Sequence, residues 1–215
     1  MLINLARSPI GWRLTITWSK TRLLNINQLT SLEGAPIEVG ESFICSYNQL
    51  TSLKGAPQIV DGSFWCENNQ LTSLEGAPQK VGGGFFCSNN QLTSLKGAPQ
   101  EIGSSFDCSN NKLTSLKGAP TEVSKGFYCF HNQLISLEGA PQIIDRGFWC
   151  SNNKLTSLEG APQTVGEDFW CDSNRLTSLE GAPQKVGRTF DCRSNPNLHS
   201  LEGIGEIRGK IYKDF

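Results

Sequence analysis

Apolar residues recur along this chain with a fixed period of 21 residues. In each period a phenylalanine is followed two positions later by a cysteine, and the residue between them varies. The phenylalanines are Phe43, Phe64, Phe85, Phe106, Phe127, Phe148, Phe169 and Phe190, and the cysteines are Cys45, Cys66, Cys87, Cys108, Cys129, Cys150, Cys171 and Cys192. This alternation is typical of a β-strand. Its strict repetition predicts a stack of identical structural units.

The rest of the period predicts the remainder of one coil. In the unit that runs from Val60 to Pro78, Leu71 and Leu74 are apolar, and we expect them to turn inward. The phrase Gly-Ala-Pro interrupts any helix, because glycine permits unusual dihedral angles and proline lacks an amide hydrogen. We therefore predict a β-rich solenoid with one short parallel strand per coil, an extended or turn-like convex side, and little or no helix.

One asparagine recurs in every coil, three positions after the cysteine column. Its members are Asn27, Asn48, Asn69, Asn90, Asn111, Asn132, Asn153, Asn174 and Asn195. An asparagine amide offers two hydrogen-bond donors and one acceptor oxygen. We expect each one to bond the turn backbone of its own coil and of the neighbouring coil, where peptide groups are buried.

The repeat divides the chain into three segments. Residues 25–192 form an array of eight repeats, preceded by an N-terminal cap at 1–24 with an amphipathic strand at 12–18. Residues 193–215 look like a degenerate ninth repeat that caps the array, since terminal repeats need such covers. An extra residue beside Pro196 shifts the next leucine, and on that count Tyr212 falls in the phenylalanine column.

The order F-x-C-x-x-N-x-L-x-x-L resembles the leucine-rich repeat, whose pattern it matches once Phe and Cys stand for two leucines. The short period and the phrase L-T-S-L look most like bacterial-type repeats, and similar arrays occur in phage proteins. The resemblance covers about four-fifths of the chain. It departs from the family at Gly-Ala-Pro and at the cysteine. It implies a concave strand face that binds a protein partner, without catalysis.

Composition narrows the setting. A net charge of −1 gives no broad electrostatic footprint for nucleic acid or for a membrane surface. No apolar run is long enough to span a bilayer, and the N-terminus does not look like a signal peptide. We expect a monomer in the cytoplasm or in another reducing intracellular compartment.

The cysteine spacing favours buried free thiols over disulfides or a zinc site. Equivalent cysteines on parallel strands lie about 4.8 Å apart with parallel side-chain directions, which suits a disulfide poorly. No C-x-x-C cluster with histidine is present for zinc. We therefore predict a column of small buried hydrophobes that bind no metal.

Function is expected in the positions that vary, chiefly the residue between phenylalanine and cysteine. Aromatic side chains collect in that column and in the two columns after it, on the face that is concave in the family. Exposed apolar patches of this kind are often interaction sites. The predicted contact residues form two clusters on either side of Asp107: Trp65 and Phe86, then Tyr128, Phe130, His131, Trp149 and Trp170.

Three explanations of these aromatics stay open. The first is a protein partner, and the second is a glycan that stacks on the rings. The third is a structural array without a specific ligand, in which the aromatics only stabilise the sheet. An enzyme is not expected: His131 and His199 are the only histidines, Cys129 lies in the inward column, and no cofactor motif is present.

Overall fold

The computed structural model describes residues 28–215, together with the backbone of the strands Leu5–Ser8, Gly11–Leu14 and Arg22–Leu23. Over this part the chain winds into a stack of coils of 21 residues, and the described residues contain no helix. The predicted parallel β-solenoid is confirmed. It follows from a sequence in which the same strand signal and the same Gly-Ala-Pro turn return at a fixed interval.

The main sheet has ten parallel strands, each paired in register with the equivalent strand of the next coil. It contains the phenylalanine column and the variable residue after it. Its strands are Arg22–Leu23, Phe43–Ile44, Phe64–Trp65, Phe85–Phe86, Phe106–Asp107, Phe127–Tyr128, Phe148–Trp149, Phe169–Trp170, Phe190–Asp191 and Ile211–Tyr212.

A second short strand in each coil lies on the opposite side, where the sequence predicts an extended or turn-like segment. These strands form a parallel sheet of five strands and another of four. The first contains Glu38–Val39, Ile59–Val60, Lys80–Val81, Glu101–Ile102 and Glu122–Val123, and the second contains Ile143–Ile144, Thr164–Val165, Lys185–Val186 and Glu206–Ile207. Each coil is therefore a flattened loop closed by two narrow sheets.

The core between the sheets consists of columns of identical side chains. The eight phenylalanines have no exposed surface, and their rings follow one another at centroid distances of 5.3–5.8 Å. The leucines of the L-T-S-L phrase are likewise enclosed, as at Leu71 and Leu74. Because burial of one phenylalanine contributes about 1.5–3 kcal/mol, this column is a principal source of stability.

The asparagine column joins each coil to the one before it, as predicted. The Asn69 amide nitrogen donates to the carbonyl oxygens of Cys45 and Cys66, both at 3.0 Å. Its oxygen accepts from the backbone N–H of Leu50, also at 3.0 Å. The same three bonds recur at Asn132, where the partners are Cys108, Cys129 and Leu113. A single side chain thus satisfies buried peptide groups of two coils.

All eight cysteines are buried, which confirms their inward column, and they are free thiols. Most of the sulfurs donate a weak hydrogen bond to a carbonyl of the next coil, as Cys150 does to Trp170 at 3.3 Å. Burial raises the pKa of these thiols. The pKa values of Cys66, Cys87 and Cys171 are well above the ordinary value for a cysteine. A thiol that stays protonated is a poor nucleophile.

The Gly-Ala-Pro turn depends on its glycine. Gly76 has a φ of 88°, and an added Cβ would lie 2.9 Å from the Leu53 carbonyl carbon of the preceding coil. Any side chain would therefore meet the backbone below it. The turn is closed by the Ala77 N–H, which donates to the Leu74 carbonyl oxygen at 3.0 Å.

The C-terminal coil corrects one prediction. Ile211 pairs with Phe190 and Tyr212 pairs with Asp191, so Tyr212 lies in the outward column and the predicted phenylalanine-column position is wrong. The extra residue beside Pro196 is compensated between Gly203 and Glu206, a segment one residue shorter than the equivalent segment from Gly181 to Lys185. Ile207 consequently pairs with Val186 in the ordinary register.

At the N-terminus, Leu5–Ser8 pairs antiparallel with Gly11–Leu14. The predicted cap strand at 12–18 overlaps the second of these strands, and residues 15–18 lie outside the described residues. The capping role of residues 1–24 stays a prediction.

Candidate functional site

The outward column of the main sheet places the predicted aromatic residues in two separate stacks. Trp65 pairs in register with Phe86, and their ring centroids are 4.0 Å apart. In the other stack, Trp149 lies 4.6 Å from Tyr128 and 4.5 Å from Trp170 between ring centroids. Asp107 lies in the same column between the two stacks, paired in register with Phe86 on one side and Tyr128 on the other.

Phe130 and His131 extend the second stack sideways. The Phe130 ring centroid lies 6.3 Å from that of Trp149, and the His131 ring meets Phe130 edge-on at 5.6 Å. His131 is exposed, whereas Cys129 beside it is fully buried. The thiol and the imidazole therefore lie on opposite sides of the strand.

The stacked rings are half-buried, although the sequence predicts a large exposed strip. The most exposed large apolar side chains lie elsewhere: Ile37, Ile143 and Ile135 are 73%, 66% and 65% exposed. The strip is less exposed because each ring is covered by its neighbour in the stack. Its contact surface is consequently smaller than the sequence suggests.

Three of the rings lie directly over a glycine of the sheet, where any side chain would collide with the ring. A Cβ added at Gly84 would lie 2.5 Å from Phe86 Cζ, and one at Gly147 would lie 2.8 Å from Trp149 Nε1. The Tyr128 ring covers Gly126 in the same way. Sequence reasoning missed this arrangement, although a signal was present: at these three coils glycine stands two residues before the aromatic.

The two stacked indoles turn their polar edge inward. Trp149 Nε1 and Trp170 Nε1 are buried and have no hydrogen-bond partner among the described residues. An unsatisfied buried donor costs about 1–3 kcal/mol, so ring stacking must offset that cost. The surface that both tryptophans present to solvent is therefore hydrocarbon.

A third outward column has left-handed backbone in every coil. Its φ values lie between 52° and 56° at Tyr47, Asn68, Asn89, Asn110, His131, Asn152, Ser173 and Ser194. Asparagine adopts this conformation more readily than most residues, which explains its recurrence here. His131 occupies the position at a conformational cost.

An open concavity of about 350 Å³ lies at the C-terminal end of the second stack. Phe130, Trp149 and Trp170 form its apolar side. The rest of its lining is polar: Ser151, Asn152, Asp172, Asp191 and Arg193. The space exists because the small Ser151 stands in its column between the larger Phe130 and Asp172. Three of the seven predicted contact residues line the concavity, and Trp65 and Phe86 lie several coils away.

Charged groups at the concavity are held by specific partners. Arg193 forms a two-pronged ion pair with Asp191, through contacts of 2.6 Å and 3.0 Å. The Asp172 carboxylate accepts hydrogen bonds from the hydroxyls of Ser151 and Ser173, the latter at 3.0 Å. None of these three charged residues is among the sequence-predicted contacts, because a charge in a variable column resembles ordinary surface polarity.

Two further carboxylates on the same face are partly desolvated. Burial raises the pKa of Asp107, and hydrogen bonds from Ser109 and Ser88 oppose that rise. Burial also raises the pKa of Glu67, as does the nearby negative charge of Asp107. The aromatic face therefore carries negative charge that solvent stabilises incompletely.

Neither a cluster of metal-ligating side chains nor a membrane-spanning helix occurs among the described residues. They contain no group of three or more His, Cys, Asp or Glu side chains arranged to hold a metal ion. Because they form no helix, none of them could cross a membrane as a long apolar helix. The concavity, with its aromatic side and its charged side, is a candidate binding site within residues 28–215.

Compared with models of known protein families and with curated protein sequences, the chain shows no match. The fold and the site geometry are therefore the basis for a functional proposal.

Proposed function

We propose that this protein binds a protein partner, without catalysis, through the outward face of its main sheet. The contact residues are those of the two aromatic stacks and their extension: Trp65, Phe86, Tyr128, Phe130, His131, Trp149 and Trp170. The observation that carries the proposal is the concavity at the end of the second stack, where tryptophan hydrocarbon lies beside fixed charges. The core residues repeat in every coil of this solenoid, whereas the combination of tryptophan rings and charged groups that lines the concavity lies at one end of the second stack.

Aromatic side chains beside paired charges are typical of protein-binding surfaces. Tryptophan, tyrosine and arginine are enriched among the residues that dominate binding energy, and they cluster where solvent is excluded on association. The rings are already fixed by stacking, so little side-chain entropy is lost when a partner covers them.

We also propose that the chain is a divergent leucine-rich-repeat protein of bacterial or phage type that works as a monomer in a reducing, intracellular compartment. The order of the strand, asparagine and leucine columns supports the family assignment. The eight buried free thiols support the compartment, since cysteines at this density in an oxidising compartment are usually paired.

Affinity capture with matched variants tests the binding proposal. The bait is the whole chain, and the test variant carries Trp149→Ile and Trp170→Ile, because isoleucine already occupies this column at Ile44. The control carries Ile135→Thr and Ile143→Thr, which remove exposed apolar residues elsewhere and introduce the threonine of equivalent coils. We expect capture of a protease-sensitive partner by the wild type and the control, and its loss in the test variant.

Other results would contradict the proposal. Equal capture by the tryptophan variant would place the contact outside the aromatic face. Absence of any partner would favour the structural array, and binding to an immobilised glycan array that depends on the tryptophans would favour the glycan reading of the rings. Circular dichroism of each variant separates these outcomes from misfolding.

A further inference from the structure

Negative charge is concentrated on the face that carries the aromatic stacks. This strand face comprises four columns, which begin at Ser42, Ile44, Ser46 and Tyr47 and recur through the eighth coil. Its charged residues are Glu67, Asp107, Asp168, Asp172, Asp191 and Arg193. One positive and five negative groups give a net charge of −4 (1 − 5), whereas the whole chain carries −1 (19 − 20). Four cations within residues 1–27 offset that charge in the whole-chain sum, and residues 28–215 outside the strand face carry −1 (14 − 15). The strand face therefore holds most of the excess negative charge of the described residues.

Two of the five carboxylates have no cation beside them, and a third, Asp172, lies near Arg193 without forming an ion pair with it. Asp168 and Asp191 are close to Arg188 and Arg193, at 3.9 Å and 2.6 Å. By contrast, Glu67, Asp107 and Asp172 form no ion pair with any described residue. Hydroxyl and amide donors stabilise Asp107 and Asp172 locally but do not neutralise them. A ligand with positive charge would complement the face.

Trp170 presents one ring face toward the concavity. Its other face is covered by Trp149, to which it is nearly parallel at 7°. On the open side, the next residue of the column is Asp191, which provides no ring to stack upon it. A cation over an indole face is stabilised by the negative potential of the ring, by about 0.5–2 kcal/mol depending on desolvation. Asp172, on the same rim, supplies the matching carboxylate.

The protein already holds one guanidinium in this manner, one coil away. Arg193 binds both oxygens of Asp191, and its guanidinium carbon lies 4.9 Å from the centroid of the Tyr212 ring. A carboxylate and an aromatic ring thus recognise a guanidinium together on this face. Asp172 and Trp170 are the same pair of chemical groups, and the nearby Arg193 is instead paired with Asp191 and lies over Tyr212. The Asp172 carboxylate keeps free lone pairs, since each oxygen can accept more than one hydrogen bond.

We propose that the concavity binds the guanidinium of an arginine side chain, presented by a basic segment of the partner, which lies over Trp170 and pairs with Asp172. The inference rests on the proposed partner-binding function and names its chemistry. Arginine fits better than lysine, because a planar guanidinium stacks on a ring and binds two carboxylate oxygens at once. The acidic strand face attracts the rest of the basic segment and raises the rate of encounter.

Calorimetric titration of the full chain with short Gly/Ser peptides tests this inference. The peptides differ only in one residue type, which is arginine, lysine or the neutral isostere citrulline. We expect the arginine peptide to bind about tenfold more tightly than the lysine peptide, and the citrulline peptide to show no binding. A neutral oligosaccharide serves as the fourth titrant and should not bind.

Two pairs of variants locate the contact. Asp172→Asn and Trp170→Ile should each weaken the arginine peptide about tenfold. Asp145→Asn removes an equal charge from an exposed position outside the strand face, and Tyr47→Asn removes an exposed ring from the first coil of the face. Both controls should bind within about twofold of the wild type, because neither group lines the concavity. Unfolding midpoints of all four variants identify any that fold poorly. If one of the two test variants does not fold, the other still tests the contact.

Several outcomes would overturn the inference. Equal binding of arginine and lysine peptides, abolished by salt, would indicate non-specific attraction to the acidic face. Unchanged binding in Asp172→Asn would exclude the guanidinium pair, and binding of the oligosaccharide alone would replace it with a sugar site. The proposed function is tested separately: tryptophan-dependent capture of a partner without arginine-peptide binding would leave that function in place and remove this ligand.

Discussion

The two sides of the main strand differ although they share one backbone. Phe148 and Cys150 point inward, have no exposed surface, and contact the same residue types in the coils on either side. Trp149, between them, points outward, is partly buried, and has tyrosine on one side and tryptophan on the other. The inward residues repeat without change through eight coils, and the outward residue differs from coil to coil.

The difference shows what stacking demands of a sequence. An inward side chain must fit copies of itself above and below, so a change in one coil disturbs two interfaces. An outward side chain has solvent on one side and can be replaced without reshaping its neighbours. Stability is therefore concentrated in the invariant columns, and the capacity to recognise a partner in the variable ones.

Charging the thiols should break the inward side most severely. Because burial raises their pKa above the unfolded value of about 8.5, their stabilising contribution is complete below that pH and is lost as the pH rises. Between about pH 8 and about pH 9.5, each thiol that ionises in the unfolded chain but stays protonated in the folded protein lowers the unfolding free energy by about 1.3 kcal/mol. Eight thiols amount to about 10 kcal/mol, so urea unfolding should show a collapse of stability over this range.

Replacement of one thiol controls for other titrating groups. Cys150→Ala should be less stable at neutral pH, because the cavity remains, but its alkaline loss should be smaller by about 1.3 kcal/mol. An unfolding free energy that does not change between these pH values would refute the prediction. Alkylation before and after denaturation, followed by mass spectrometry, should label the cysteines only after unfolding.

Truncation of neighbouring residues compares the two sides directly. Phe148→Ala should lower the unfolding free energy by about 4 kcal/mol, because it leaves a cavity in a closed column. Trp149→Ile should cost about 1 kcal/mol or less, since the lost stacking is partly offset by removal of a buried indole N–H that has no partner. Urea denaturation of both variants at neutral pH measures the difference. Similar costs would mean that the outward stack is part of the core.

The asparagine column extends the comparison from packing to hydrogen bonding. Asn132→Ala removes bonds to Cys108, Cys129 and Leu113, and it leaves buried peptide groups without partners. We expect a loss of about 3 kcal/mol. Gln133→Ala, next along the chain and partly exposed, should change stability by less than about 0.5 kcal/mol. A small effect of Asn132→Ala would show that water replaces the amide.

The inward side could be predicted from the sequence, because its columns are identical and each is apolar or asparagine. The outward side could be predicted only as a row of residues. Three of its features depend on which residues occupy adjacent coils, and the repeat period does not specify those residues. These features are the ring stacking, the glycine beneath Trp149 and the concavity beside Asp172. Tyr212 was misplaced for a related reason: the extra residue near Pro196 is visible in the sequence, whereas its compensation between Gly203 and Glu206 depends on the register of the second sheet.

Substitution at His131 has the smallest expected effect on stability. It tests whether stability and partner recognition are separated between the inward and outward columns. The φ of 52° at His131 suits asparagine better than histidine, and asparagine occupies the same position at Asn110 and Asn152. His131→Asn should therefore raise the unfolding free energy by about 1 kcal/mol. If the imidazole contributes to partner binding, the same variant should weaken capture, so that stability and binding move in opposite directions. Tyr47→Asn, at the equivalent position of a coil remote from the second stack, should stabilise the protein by a similar amount and leave binding at the concavity unchanged. Destabilisation by His131→Asn would show that the Phe130 edge contact is worth more than the backbone strain, and the outward face would then contribute to the fold as well as to recognition.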